Sequence, residues 1–164
     1  MFDTKHTLVA LVEDKPGVLN RAVSLFRRRG FNIQSLAVGG SERPGLSRMT
    51  VVVDGDSATV EQVRKQLDKL INVVRVSDIT NEGIVARELA LIKVKGTTST
   101  RSEIMQIVDI FRANIVDVAP DSLTVEVTGD QDKVESLIGL LKSFGIKEIS
   151  RTGRIALTRG AAKG

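Results

Sequence analysis

Met49-Thr50-Val51-Val52-Val53-Asp54-Gly55-Asp56 recurs 74 positions later as Leu123-Thr124-Val125-Glu126-Val127-Thr128-Gly129-Asp130. The echo continues, with Val60-Glu61 matching Val134-Glu135 and Leu67 matching Leu141. Each copy is a β-branched apolar run closed by Gly-Asp, which reads as a strand followed by a helix that Asp56 or Ser57 caps in the first copy. One supersecondary unit has been written twice.

Reading outward from the first copy, residues 5–12 alternate and then run apolar, as a strand does. Leu19, Ala22, Val23 and Phe26 recur at helical spacing, and Gly30 follows the basic last turn Arg27-Arg28-Arg29. Those arginines read as a solvated helix end that complements the dipole. Residues 31–38 alternate again, 39–47 form a loop around Pro44-Gly45, and 49–53 make a third strand. Val60, Val63, Leu67 and Leu70 stripe a second helix before a strand at 73–76. The order is βαββαβ. A polar stretch at 77–87 reads as a linker. Beyond it the order returns: a strand at 89–94, a helix through Ile104, Ile107, Val108 and Phe111, strands at 114–118 and from 123, a helix over 133–144, and strands at 146–150 and 154–158. Thr100 with Glu103 has the spacing of a capping box. The expected division is a first domain at 1–80 and a second at 81–164, both of α+β class.

Composition narrows the chemistry. The chain has 164 residues, 41% apolar, with no cysteine, so neither disulfides nor thiolates are available. No N-terminal targeting pattern is visible and the apolar runs are strand-sized, so a cytoplasmic location without a membrane span is expected. The pI is about 9.6, yet the net charge is only +4 and there is no Trp or Tyr on which bases could stack. Nucleic acid is therefore a poor fit. His6 is the only histidine and reads as an ordinary strand residue. Metal-ligand spacing, a P-loop, a dinucleotide fingerprint and a serine elbow are all missing, so no catalytic residue and no bound metal are expected. The chain reads as a binding module.

The candidate site is the turn Asp14-Lys15-Pro16-Gly17-Val18-Leu19 between the first strand and helix. Pro16 suits a first helical turn, Gly17 lets backbone approach closely, and the free amides at a helix start favour an anion. The second half offers Thr97-Thr98-Ser99-Thr100 instead, without Pro-Gly. Asn32, between Phe31 and Ile33, is the other polar signal. In a βαββαβ unit Asn32 and Asp14 belong at opposite ends, so a side-by-side dimer is needed to join the turn of one subunit to the second strand of its partner. Such a cleft suits a free amino acid: amides for its carboxylate, Asp14 and Asn32 for its ammonium, and Val18, Leu19 and Ile33 as an apolar wall. The loop at 39–47 is longer than its counterpart between Val118 and Leu123, which suggests a partner or gating role.

Glu13-Asp14-Lys15-Pro16-Gly17-Val18-Leu19-Asn20-Arg21, Arg29-Gly30-Phe31-Asn32-Ile33-Gln34-Ser35-Leu36, Ser47-Arg48-Met49-Thr50 and Lys65-Gln66-Leu67-Asp68-Lys69-Leu70 resemble the small, regulatory subunit of acetolactate synthase. In the second half Arg87-Glu88-Leu89-Ala90-Leu91-Ile92-Lys93-Val94, Phe111-Arg112-Ala113-Asn114-Ile115-Val116-Asp117-Val118 and Arg151-Thr152-Gly153 extend the resemblance over nearly the whole chain. The resemblance implies tandem ferredoxin-like units, the first an ACT domain that dimerises to bind valine, with leucine or isoleucine as alternatives. It implies a large catalytic subunit as partner, carrying thiamine diphosphate, FAD and magnesium, which the small subunit stimulates and makes sensitive to feedback inhibition. The family's effector-site positions fall on Asp14, Gly17, Val18 and Asn32, and with the rest of the turn and cleft the expected effector-binding set is Asp14, Lys15, Pro16, Gly17, Val18, Leu19, Asn32 and Ile33. Some members carry Asn at the position of Asp14; a carboxylate there would repel the effector's own carboxylate, so Asp14 would either serve the ammonium or weaken effector affinity. The competing reading is a free-standing ACT-repeat amino-acid sensor that works without the synthase.

Overall fold

The computed structural model describes residues 5–160. Its elements are β1 (Lys5–Glu13), α1 (Val18–Arg28), β2 (Asn32–Gly40), β3 (Leu46–Asp54), α2 (Ser57–Asp68), β4 (Val73–Asp78), β5 (Ile84–Lys95), α3 (Arg101–Ile110), β6 (Asn114–Ala119), β7 (Ser122–Gly129), α4 (Gln131–Leu141), β8 (Ile146–Arg151) and β9 (Ile155–Thr158). A single 3-10 turn at Lys142–Phe144 follows α4. The strands pair antiparallel, in the orders β2-β3-β1-β4 and β6-β7-β5-β8. The α+β class and the doubled ferredoxin-like order are as the repeat predicts.

The duplication is kept down to backbone irregularities. The β1–β4 register shifts between Leu11 and Val12, and the β5–β8 register shifts between Lys93 and Val94. The β2–β3 pair slips between Ile33 and Ser35, and β6–β7 slips between Ile115 and Asp117. Aspartate caps recur too. Asp56 accepts from the Thr59 amide and Asp130 from the Lys133 amide, each at 2.9 Å, satisfying one orphan donor of α2 and of α4. The capping box at Thr100 does not form. Its hydroxyl already accepts from the Thr97 amide at 2.9 Å, and Thr100 itself is near-helical in conformation.

Each sheet buries one face under its two helices. In the first, Leu8, Ala10 and Val12 meet Val18, Ala22, Phe26, Val60, Val63 and Leu67; in the second, Ala90, Ile92 and Val94 meet Ile104, Val108, Val134, Leu137 and Leu141. Each Val, Leu, Ile or Phe among them contributes about 1.5–3 kcal/mol by leaving water.

The division of the chain differs from the expected boundary at residue 80. Backbone contacts group residues up to Val85 with those from Arg154 onward, and Ala86–Gly153 form the second unit. The polar linker shrinks to 79–83 because β4 continues to Asp78 and Ile79 is buried, its amide donating to the Thr7 carbonyl at 3.0 Å. β9, expected to finish the second half, does pair with β5, but by backbone contacts it groups with the first unit. The Arg154 amide donates to Ser35 Oγ at 2.7 Å, its guanidinium to Thr7 Oγ1 at 3.3 Å, and the Arg159 amide to the Gly83 carbonyl at 2.8 Å. The cause lies in β1. Val9 and Leu11 point away from the helices and still need cover, whereas the equivalent strand β5 carries the half-exposed Leu91 and Lys93 there. Within the second unit Glu88 is buried against Arg151, which also donates to Glu135 at 2.6 Å.

His6 is an ordinary strand residue with a partner. Its Nδ1 lies 3.0 Å from Asp78 Oδ2 and it is buried. Burial raises the Asp78 pKa, but the Thr80 hydroxyl and amide together with His6 outweigh it, so the carboxyl lies below its ordinary value of 3.8. A depressed carboxylate stabilises the fold above that value, and the contribution is lost as pH falls through the lower one. Asp78→Asn will therefore flatten the fall in melting temperature as pH drops below about 4 relative to the parent chain; equal slopes would remove Asp78 from the acid response.

The helix ends give a second prediction. Gly30 closes α1 at φ 73°, and Arg112 occupies the corresponding left-handed position after α3 at φ 53°. A side chain there costs about 1–2 kcal/mol that glycine avoids, less the extra entropy glycine loses on folding. Arg112→Gly will raise the urea midpoint by the equivalent of about 0.5–1 kcal/mol with unchanged slope; a lower midpoint would mean that the arginine side chain stabilises the turn.

Candidate functional site

The β1–α1 turn is held by backbone at both sides. The Glu13 amide donates to the Asn72 carbonyl at 2.8 Å, and the Asp14 amide to Gly45 in the β2–β3 hairpin at 2.9 Å. Lys15 folds back, its amide donating to the Glu13 carbonyl at 2.9 Å, and Gly17 turns the chain into α1 at φ 82°. The helix begins at Val18, so Pro16 sits before the cap rather than inside the first turn. No side chain caps α1, and its first-turn amides keep their partial positive charge.

Beneath the turn lies a side-chain network. Arg21 Nη2 donates to Asn72 Oδ1 at 2.6 Å, Asn72 Nδ2 donates to Glu13 Oε2 at 2.9 Å, and Lys15 Nζ stands 3.0 Å from the same carboxylate oxygen. The Asn72 amide and then Lys15 hold the Glu13 carboxyl below its ordinary range. Asn72, Arg21 and Glu13 were not among the expected site residues. The pairs Arg21–Asn72 and Glu13–Asn72 span 51 and 59 positions, and nothing in the local sequence announces them.

The expected residues fall into two groups. Asp14, Lys15, Pro16 and Gly17 are exposed on the turn; Leu19 is 41% exposed beside them, while Val18 is 2% exposed and belongs to the core, so it offers the turn only backbone. Asn32 and Ile33 open β2, where they line a concavity of about 390 Å³ with Val23, Arg27, Gly30 and Phe31. Glu13 faces Leu46 at one end of β3, and Asn32 faces Asp54 at the other. Eight residue steps of strand separate the ends, roughly 26 Å at about 3.3 Å per step. One chain does not bring them together.

The second unit shows what the fold requires without the turn. Lys95 donates to the Gly145 carbonyl at 2.7 Å and Gly96 to the Asp121 carbonyl at 3.0 Å, repeating the two backbone bonds of Glu13 and Asp14. The side chains differ. Glycine replaces Asn72, and Arg101 reaches the hairpin carbonyls of Ala119 and of Pro120, the latter at 2.9 Å. The pair Asn32-Ile33, in contrast, has a counterpart in Asn114-Ile115 at the start of β6. Asn32 is thus shared by both units, and the turn with its network distinguishes the first. Among the described residues no three His, Asp or Glu side chains gather as a metal-holding group.

Residues 8–75 match the family described as AHAS small subunit-like ACT domain, and residues 87–160 match that of the small subunit of acetolactate synthase. A probable acetolactate synthase small subunit of Archaeoglobus fulgidus is 58% identical over 159 residues, covering 97% of this chain and 99% of that one. The acetolactate synthase small subunit of Mycolicibacterium smegmatis is 52% identical over 155 residues, covering 94% of this chain and 91% of that one. The crystal structure of the Thermotoga maritima acetolactate synthase small subunit superposes with a TM-score of 0.87 at 46% identity, covering 96% of this chain and 99% of that one. Two tandem ferredoxin-like units, an ACT-type first unit and identity sustained over the full length of these relatives together place this chain in the family of acetolactate synthase small subunits.

Proposed function

We propose that this chain is the regulatory subunit of an acetolactate synthase and that a branched-chain amino acid, valine first, binds where two first units pair along their β2 edges. The observation that carries the reading is the character of that edge. Asn32–Gly40 is nine residues long, lies at the end of its sheet and contains no Lys, Arg, Asp, Glu or Pro. An uncharged edge of this length is a template for pairing. A two-fold axis makes the added pair antiparallel, so the Asn32 end of one β2 comes level with the Gly40 end of the other. Gly40 faces Ser47, and Glu13 faces Leu46, so the partner's Asn32 end arrives beside the turn.

The chemistry suits a zwitterion. First-turn amides take the carboxylate, Asp14 and the partner's Asn32 take the ammonium, and Leu19 and the partner's Ile33 take the branched chain. Thiamine diphosphate, FAD and magnesium belong to the large catalytic subunit, whose active and inhibited states the effector would bias through its differential affinity.

Valine titrations by calorimetry test the composite site. Gly17→Asp places a carboxylate in the anion seat at a positive φ, a strain of about 1–2 kcal/mol to be checked by melting. Gly17→Asp and Asn32→Ala will each weaken valine binding at least about tenfold. Mixed, co-refolded subunits will regain part of the capacity, because a heterodimer joins an intact turn to an intact Asn32; no recovery would sink the intersubunit geometry. Asn72→Ala will leave the backbone bond from Glu13 in place and loosen the turn, weakening valine by about tenfold for the loss of two side-chain hydrogen bonds. Unchanged affinity would show that the network serves the fold alone.

A further inference from the structure

The face of the first sheet that looks away from the helices carries two arginines on either side of one leucine. Leu11 pairs in register with Arg48 on β3 and with Arg75 on β4; one row along, Val9 pairs with Thr50 and Ser77. The two arginine Cα atoms are two strand spacings apart, about 10 Å, so both guanidiniums can reach a single anion above Leu11. Residues of the returning C-terminal segment, Ala156 to Gly160, close one side and leave a cavity of about 280 Å³.

The charge in this cavity is unbalanced. Arg48 has one carboxylate partner, the well-exposed Glu42 at 3.7 Å, and Arg75 has no ion pair among the described residues. Glu82 stands on the lining as the single acid there, against two guanidiniums. The floor is apolar: Val9 and Leu11 are 8% and 4% exposed, and Ile79 and Ala156 are each 4% exposed.

We propose that this cavity binds a small monocarboxylate with a short branched apolar chain. Its carboxylate lies between Arg48 and Arg75, and its chain lies on Val9 and Leu11 under Ala156. Guanidinium forks are suited to a carboxylate, and the excess positive charge supplies the attraction. The volume fits a ligand of a few heavy atoms and is too small for a helix or strand of another protein. The cavity is at the same end of β1 as the Asp14 turn but on the opposite face of the sheet, so it is a separate site and does not depend on the effector reading.

Isovalerate titrated into the full chain, followed by methyl NMR of Val9 and Leu11, is the test. Saturable shifts are expected in the parent chain, with binding about tenfold weaker in Arg48→Met and Arg75→Met and nearly retained in Arg75→Lys. Isoamyl alcohol, which lacks the charge, and inorganic phosphate, which lacks the chain, should not saturate these signals. Gly17→Asp should bind isovalerate as the parent does. Equal affinity in Arg75→Met, equal binding of the alcohol, or loss of binding in Gly17→Asp would each overturn the site. So would an acidic peptide that binds through Arg75 while isovalerate does not, since the face would then receive a protein segment.

Discussion

The packing of the first unit depends on β1, which lies in the middle of its sheet with both faces covered. Its backbone is paired on both sides, to β3 and β4, and its side chains are buried from His6 to Val12. A strand in that position cannot be an edge, so β2 and β4 must be. It also cannot leave its outer apolar residues wet, so the C-terminal segment is drawn back across it. The turn that follows Glu13 inherits this rigidity, since the strand feeding it is fixed by two neighbours and its first two amides are tied to Asn72 and Gly45.

The second unit serves as an internal control. It has the same strand order, the same two register slips and the same pair of backbone bonds after its central strand. These features belong to the fold. What it lacks is the glycine at positive φ before the first helix, the asparagine bridge beneath it and an uncharged edge: β6 carries Asp117 and spans six residues against nine. Three separate differences coincide on the first unit, and each bears on the turn or on the strand proposed to meet it. A turn needed only to connect strand and helix would not require the other two.

The sequence made the architecture legible because it is encoded locally and twice. Alternation marked the strands, the Val60–Leu67 and Ile104–Phe111 stripes marked helices, and Asp56 marked a cap that does form. The turn at Asp14 was legible from Pro-Gly, although the helix starts later because Gly17 adopts a left-handed conformation. Long-range pairings were not legible. Asn72 looks like any polar residue before a strand, and its partners are 51 and 59 positions away. The return of Arg154–Gly160 was hidden in the outer face of β1, where Val9 and Leu11 are apolar at positions a half-exposed sheet would leave polar. Asn32 alone does not set the first unit apart, since Asn114 opens the corresponding strand of the second; what sets it apart is the turn that the Asn32 end is proposed to meet.

On the proposed reading the location of the turn also sets what an effector can do. A ligand held half by one subunit and half by the other binds the paired state and not the separated one, so it stabilises the pairing by an amount that grows with its concentration over its dissociation constant. The signal is therefore carried by the β2–β2 junction, and the turn need not move far to send it. The network under the turn argues in the same direction. Arg21, Asn72, Glu13 and Lys15 hold the seat in place before any ligand arrives, which lowers the ordering cost on binding and leaves the ligand's free energy to act on the interface. A regulatory subunit built this way transmits a change in how firmly two copies are joined, and its catalytic partner would sense the effector through the geometry of the pair.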